Sequence, residues 1–103
     1  MLYLTVMTHG PETCPGVVHE LTHKVLEDGQ KMEAVAKANG VTMQGVWLNR
    51  SGHSSWAVVD APDGHAVDKF LRESGLFEWN TAVTHPVVTI QEAMGELAQQ
   101  HAH

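Results

Sequence analysis

Two repeating patterns of apolar residues divide the chain into strands and helices. Alternation with a period of two, which is typical of a strand, marks the first residues and three later segments. Apolar residues three or four positions apart, which are typical of a helix lying on a sheet, mark the segments between them. The predicted elements are a strand over 1–9, a helix over 14–39, a hairpin over 41–61, a helix over 63–74, a strand over 77–90 and a short helix over 91–100.

Local start and stop signals set the bounds of the two longer helices. Thr13 is the expected N-cap of the first helix, and Pro15 suits its first turn. Asn39-Gly40 is a typical C-terminal stop. Asp63 is the expected N-cap of the second helix, and Gly75 ends it. The residues expected to face the sheet are Val18, Leu21, Val25, Met32, Val35 and Ala36 in the first helix and Val67, Phe70 and Leu71 in the second.

The order strand, helix, strand, strand, helix, strand predicts a ferredoxin-like βαββαβ fold of the α+β class. A right-handed crossover closes it as a four-stranded antiparallel sheet with both helices on one face. An open α+β meander of another topology is the alternative. The other sheet face is expected to carry Tyr3, Thr5 and Met7, with Trp47 or Trp56. Because so apolar a face calls for a partner, we expect a homodimer in which two sheets pack face to face.

Composition narrows the class of protein. A length of 103 residues fits one domain, and a hydrophobic content of 43% excludes a disordered chain. The formal net charge of −6 argues against nucleic acid or an anionic membrane as the partner. The start of the chain has no basic lead or long apolar region, so no signal peptide is predicted. Cys14 is the single cysteine, which suits the reducing cytoplasm.

Histidine is the unusual feature, with 8 residues in 103, some of them in the tail over 101–103. In the predicted topology the loop after the first strand and the hairpin turn lie at the same end. The loop before the last strand lies there too. His9, Cys14, His53 and the segment over 75–79 should therefore gather at this end, and His19 starts nearby. Imidazole and thiolate groups bind zinc, nickel, copper or iron, and a helix N-terminus beside Cys14 would favour its thiolate. The alternative is that His9 and His53 are ordinary loop residues and that Cys14 is a small buried side chain that only fills space.

Residues 19–23, His-Glu-Leu-Thr-His, match the zinc motif H-E-x-x-H. In that motif two histidines one turn apart bind zinc and the glutamate activates water. At 100° per residue, however, His19 and His23 point away from the apolar face of their helix, so we expect both to be exposed. A domain this small also lacks the second lobe that forms a peptide cleft. The motif therefore indicates an auxiliary or adventitious metal pair and not a peptidase.

A third candidate site is the cavity between two facing sheets. Tyr3, Thr5, Met7 and Trp56 are its expected ligand-binding residues. An apolar cavity with a few polar groups is typical of a small-molecule site, and His9 or His85 could act there as a general base. The alternative is that these side chains only pack the core of the dimer.

Three short stretches resemble a known family. They are PETCP at 11–15, GHSSWAVVDAPD at 52–63 and HPVVTIQEA at 85–93. They are similar to a family of short, uncharacterised prokaryotic proteins in the dimeric α/β-barrel superfamily. The resemblance implies the ferredoxin-like fold and a dimer, and it leaves function open because the family is a domain of unknown function. The superfamily includes cofactor-free monooxygenases, haem-degrading enzymes, lactone isomerases and plain ligand binders, and the chain matches no haem-degrading or monooxygenase active-site pattern.

Three hypotheses of function follow. The first is a homodimer that binds a small molecule in the inter-sheet cavity, either as a plain binder or as a cofactor-free enzyme using His9 and His85. The second is a protein that binds a divalent transition metal such as zinc through His9, Cys14 and His53. The third is a structural or regulatory dimer without a site.

Overall fold

Four antiparallel strands and three α-helices form the ferredoxin-like α+β fold that the sequence predicted. The computed structural model describes residues 1–101, so residues 102 and 103 of the histidine tail lie outside the described part. The strands are β1 (Leu2–Thr8), β2 (Thr42–Asn49), β3 (Ser54–Asp60) and β4 (Thr81–Val87), in the sheet order β2-β3-β1-β4. The helices are α1 (His19–Ala38), α2 (Gly64–Glu73) and α3 (Ile90–Gln100), with short 3-10 turns at Pro11–Thr13 and Leu76–Glu78.

The helices cover the opposite face of β1 from the one expected. Tyr3, Thr5 and Met7 are buried in the core between the sheet and the helices, with Thr5 only 1% exposed. Their expected place on the uncovered face is therefore wrong. Both faces of β1 carry large apolar side chains, since Leu2, Leu4 and Val6 alternate with Tyr3 and Met7. Period-two alternation shows which residues share a face, but it does not show which face the helices cover.

Helix α1 begins five residues later than the predicted position 14. The carbonyl of Cys14 accepts hydrogen bonds from the amides of Val17 at 2.9 Å and Val18 at 2.8 Å, which closes a tight turn before the helix. Val18 is the N-cap, and the predicted cap Thr13 instead ends the first 3-10 turn. Cys14 thus lies before α1 and not, as predicted, in the first turn of a helix over 14–39. The predicted stop is correct, because Gly40 adopts φ +69° just beyond Asn39.

Helix α2 supplies much of the core. Asp63 is its N-cap, as predicted, and its side chain accepts a hydrogen bond from the Ala66 amide at 2.9 Å. Val67, Phe70 and Leu71 are at most 2% exposed, which matches the predicted inward face. The apolar face of α1 is only half-buried apart from Ala36. The part of α1 that precedes Ala36 therefore leaves space between the helix and the sheet.

The open face of the sheet is apolar through its middle. In the strand register, Val6 of β1 lies between Trp56 of β3 and Val83 of β4. His85, whose face the sequence left undecided, lies opposite Leu4 on this open face. The open face, as we use the term, consists of Leu2, Leu4, Val6, Trp47, Trp56, Val58, Val83, His85 and Val87.

Helix α3 also presents unpaired apolar side chains. Ile90, Met94 and Leu97 follow one another at helical spacing and are all exposed. Neither α3 nor any other helix within residues 1–101 has the length and apolar content needed to cross a membrane.

Candidate metal centre

Three side chains from separate loops meet at one end of the sheet. His9 follows β1, Cys14 lies in the turn before α1, and His53 ends the turn between β2 and β3. One nitrogen of each imidazole and the Cys14 sulfur lie within 4.8 Å of one another, and all three residues are half-buried. The structure thus brings together the three residues that the topology predicted would gather.

The His9 ring is held by a buried amide. Its Nδ1 lies 3.2 Å from Asn80 Oδ1, and Asn80 is only 8% exposed. Asn80 is itself oriented by a hydrogen bond from its Nδ2 to the Leu76 carbonyl at 3.1 Å. Because the amide oxygen can only accept, His9 Nδ1 carries the proton and its Nε2 keeps a free lone pair. A histidine that binds a metal usually donates its other ring N–H to such an acceptor, which fixes the orientation of the ring.

The His53 backbone adopts a conformation that few side chains tolerate. Its φ is +50°, the one positive φ at a non-glycine residue in the described chain. The turn is fixed from both sides, since the Gly52 amide donates to Asn49 Oδ1 at 3.1 Å and the His53 carbonyl accepts from the His9 amide at 3.1 Å. Strain of this kind is often found at functional sites, where the surrounding structure holds it in place.

Two ring nitrogens at this site lack the partner that a buried polar atom normally has. Within residues 1–101, His9 Nε2 and His53 Nδ1 are buried and make no hydrogen bond. Most buried side-chain nitrogens have a partner, because leaving one unpaired costs on the order of 1–3 kcal/mol. The two rings stand edge to face, with centroids 5.2 Å apart. A cation between the donors would supply both missing interactions.

An apolar cavity of about 480 Å³ opens beside the three donors. The Trp79 ring stands 5.1 Å from the His9 ring, edge to face, and forms part of the cavity wall. The other apolar lining residues are Pro15, Val17, Val25 and Leu48. The donors therefore face a space large enough for a small molecule.

One ion-pair network fastens α1 to the segment that carries Trp79 and Asn80. Lys24 Nζ lies 2.9 Å from Asp28 Oδ2 on its own helix and 2.5 Å from Glu78 Oε2. The hydrogen bonds to the Glu78 and Asp28 carboxylates raise the pKa of Lys24 above its ordinary value. Glu78 immediately precedes Trp79, so this contact helps to place the cavity wall against α1.

The remaining predicted site residues lie elsewhere. His19 and His23 form an exposed pair of their own with ring centroids 5.0 Å apart, and neither joins the group of three. His85 is on the open face, whereas His9 lies at the helix-covered side with Trp79, so the proposed pairing of these histidines in one cavity is wrong. Trp56 does lie on the open face.

The three buried residues of β1 also take no part in an inter-sheet cavity. Thr5 and Met7 line a small internal space of about 130 Å³ between the sheet and the helices. The Thr5 hydroxyl pairs with the Thr84 hydroxyl at 3.0 Å, and the Tyr3 hydroxyl donates to the Met1 sulfur at 3.6 Å. They are therefore core residues with local partners.

Sequence reasoning missed Asn80 but not Trp79. The segment over 75–79 was expected at the same end of the sheet as His9, and Trp79 does lie there. Asn80, one residue further on, was taken as part of the predicted last strand, which in fact begins at Thr81.

Comparisons with known proteins support the fold and family. The chain resembles SCO4226 from Streptomyces coelicolor A3(2) at 17% identity, covering 84% of this chain and 96% of that one, with a TM-score of 0.57. It also resembles a Deinococcus radiodurans R1 protein provisionally named a transposase, at 11% identity, covering 100% and 91%, with a TM-score of 0.50. Such likenesses show the fold alone, and no curated protein matches. The family model described as Domain of unknown function (DUF3303) matches residues 1–101, and the chain belongs to that family.

Proposed function

We propose that this protein binds a divalent transition-metal ion, such as zinc, through His9, Cys14 and His53. The observation that carries the proposal is the meeting of three donor atoms within 4.8 Å. Two imidazole nitrogens and a thiolate form a set that suits zinc, nickel or copper. A bound ion would also complete the two buried nitrogens that have no partner in the described chain.

The hydrogen-bond pattern supports binding through named atoms. His9 would use Nε2, because Asn80 holds Nδ1 in its protonated form. His53 would use Nδ1, the buried nitrogen without a partner among residues 1–101. Cys14 would bind as the thiolate, which releases a proton on metal binding. A cysteine without a disulfide in the donor set also fits a reducing compartment, so we propose that the protein is cytoplasmic.

The other hypotheses have less support. A catalytic cavity shared by His9 and His85 would need both rings on one side of the sheet, and they lie on opposite sides. A structural or regulatory role without a site leaves the strained His53 backbone and the unpaired nitrogens unexplained.

The test is metal content by native mass spectrometry. Protein stripped with chelator and reloaded with Zn²⁺, Ni²⁺ or Cu²⁺ should hold one ion per chain with high affinity. The Cys14→Ala and His53→Ala variants should lose it. His65→Ala, an exposed histidine on α2, and the double variant of His19 and His23 to Ala should keep it. Failure of the native protein to hold stoichiometric metal, or loss of metal in the double variant alone, would contradict the proposal.

We further propose that two copies pair through the open face. A second copy is the partner that this surface fits, because each chain carries a formal net charge of −6 while the middle of the face is uncharged. Two strongly acidic chains can approach closely only where like charges do not meet. The metal site lies at the end of the sheet and on the other side, so pairing would leave it open.

A further inference from the structure

We infer that the proposed metal ion keeps one coordination position open and there binds the carboxylate of an apolar monocarboxylic acid. The body of the acid would occupy the cavity of about 480 Å³ next to the donors. This inference rests on the proposed metal site and names the class of molecule that the site takes.

The open position follows from the number of protein donors. Among residues 1–101, the group that can hold an ion has three members, and no fourth histidine, cysteine or carboxylate belongs to it. Structural zinc sites are usually closed by four protein ligands, whereas sites that act on a small molecule have three and leave a fourth position free. All three donors line the cavity, so the free position of the ion would face it.

The walls of the cavity indicate an apolar body. Trp79 stands on one side beside His9, while Val17 comes from the turn before α1 and Val25 from α1 itself. Leu48 adds a branched side chain from the end of β2. The volume falls within the range of about 300–1,000 Å³ that is usual for small-molecule sites. An aromatic or branched aliphatic group fits such a lining.

The charges indicate that the head group is an anion. No aspartate or glutamate within the described residues lines the cavity, and Arg50 is the one charged side chain that does. A divalent ion balanced by a single thiolate, next to a guanidinium, leaves a net positive site. A carboxylate oxygen is also a normal zinc ligand and can hydrogen-bond to arginine. These features favour a carboxylate over a neutral alcohol or amide.

Cobalt(II) absorption gives a direct test, because its visible bands change when a ligand enters the coordination sphere. The protein loaded with Co²⁺ is titrated with phenylacetate, with acetate and with phenylacetamide in a non-coordinating buffer. We expect phenylacetate to change the bands and to bind at least about tenfold more tightly than acetate, since even one buried methylene is worth that factor. Phenylacetamide, which has the same body without the charge, should bind much more weakly.

Variants of the cavity wall separate the two parts of the acid. Leu48→Ser should weaken phenylacetate several-fold with little effect on acetate, because the apolar wall contacts only the larger body. Arg50→Gln should weaken both acids about two- to fivefold, as expected for an exposed charge. Val46→Ser is the matched control, since Val46 is an exposed residue of the same strand that does not line this cavity.

The outcomes distinguish this inference from the metal proposal. If the native mass spectrum shows bound cobalt but phenylacetate leaves the absorption unchanged, or binds no better than acetate, the inference is overturned and metal binding stands. Equal phenylacetate affinity in the metal-free protein, measured by calorimetry, also overturns the inference. A protein that takes up no cobalt, zinc or nickel overturns both.

Discussion

The Asn80 amide makes two hydrogen bonds, because its nitrogen donates to the Leu76 carbonyl and its oxygen accepts from His9 Nδ1. The first bond fixes the amide and the second fixes the imidazole, so the position of the His9 lone pair depends on a residue that binds no metal itself. His53 depends in the same way on its turn, where a strained backbone is held by Asn49 and His9.

Asn80→Ala should lower metal affinity about 10- to 100-fold, the usual effect of losing a group that orients a ligating histidine. Competition with a chromophoric chelator measures the change. Asn80→Asp keeps an acceptor for His9 Nδ1 but loses the donor to the Leu76 carbonyl, so it should recover part of the affinity. Asn39→Ala removes an amide that bonds at the far end of α1 and should have no effect. Equal affinity in Asn80→Ala and the native protein would exclude an orienting role.

His53→Gly should be more stable than His53→Ala by about 1 kcal/mol in the metal-free state. Both variants lose the ring, but only glycine adopts φ +50° without steric cost. For a domain of this size the difference is about 4–8 °C in Tm, measured by thermal unfolding with chelator present. Neither variant should gain stability from added metal. A higher Tm for His53→Ala would show that the backbone of residue 53 is not strained.

The sequence predicted that His9, Cys14 and His53 would meet. The turn of the β2–β3 hairpin and the loop between β1 and α1 lie at the same end of the sheet. The sequence could not predict Asn80, since a polar residue before a strand looks like any loop residue until its partner is known. It also placed Tyr3, Thr5 and Met7 on the wrong face, because the alternation in β1 is apolar on both sides.

The side chain of Lys24 makes one of the polar links between the elements around the metal centre. It joins α1 to the 3-10 turn that precedes β4 through Glu78.

The start of α1 was the least predictable boundary of a helix. Thr13 and Pro15 carry the usual signals of a helix start, but the turn closed by the Cys14 carbonyl takes their place and moves the first helical residue to His19.

Lys24→Met should destabilise the fold at pH 8, and the loss should shrink as the pH rises above the ordinary lysine value of 10.5. The pKa of Lys24 is raised in the folded state, so its stabilising contribution is complete below 10.5 and declines above it as the pH approaches the raised folded-state value. Tm differences between variant and native protein at pH 8 and pH 11.5 measure this. Lys31→Met is the control, an exposed lysine of α1 without an ion pair in the described residues. A constant Lys24→Met effect across this range would contradict the assignment.

In the molecule as a whole, the helices cover one face of the sheet and leave the other face uncovered. The covered side holds the core and the candidate metal centre, and the uncovered side presents the open face. The fold class could be read from the order of elements, because a right-handed βαββαβ chain has few ways to close. The pairing of two chains stays a prediction, argued from the apolar open face and from the net negative charge that each chain carries elsewhere.

Val83→Lys should convert the protein to a monomer while leaving its fold and its metal site intact. Val83 is 52% exposed in the middle of the open face, next to Val6, so a lysine there fits the single chain but would be buried without a partner in a dimer. Leu26→Lys is the matched control, because Leu26 is 62% exposed on α1 and away from the open face.

Sedimentation equilibrium gives the masses, and native mass spectrometry gives the metal content of each form. The native protein and Leu26→Lys should have the mass of two chains, each of 11.3 kDa. Val83→Lys should have the mass of one chain. All three donors come from one chain, so the monomer should still hold one ion. A native protein that is monomeric at high concentration would refute the pairing, whereas a monomeric variant without metal would show that the site is completed by the second copy.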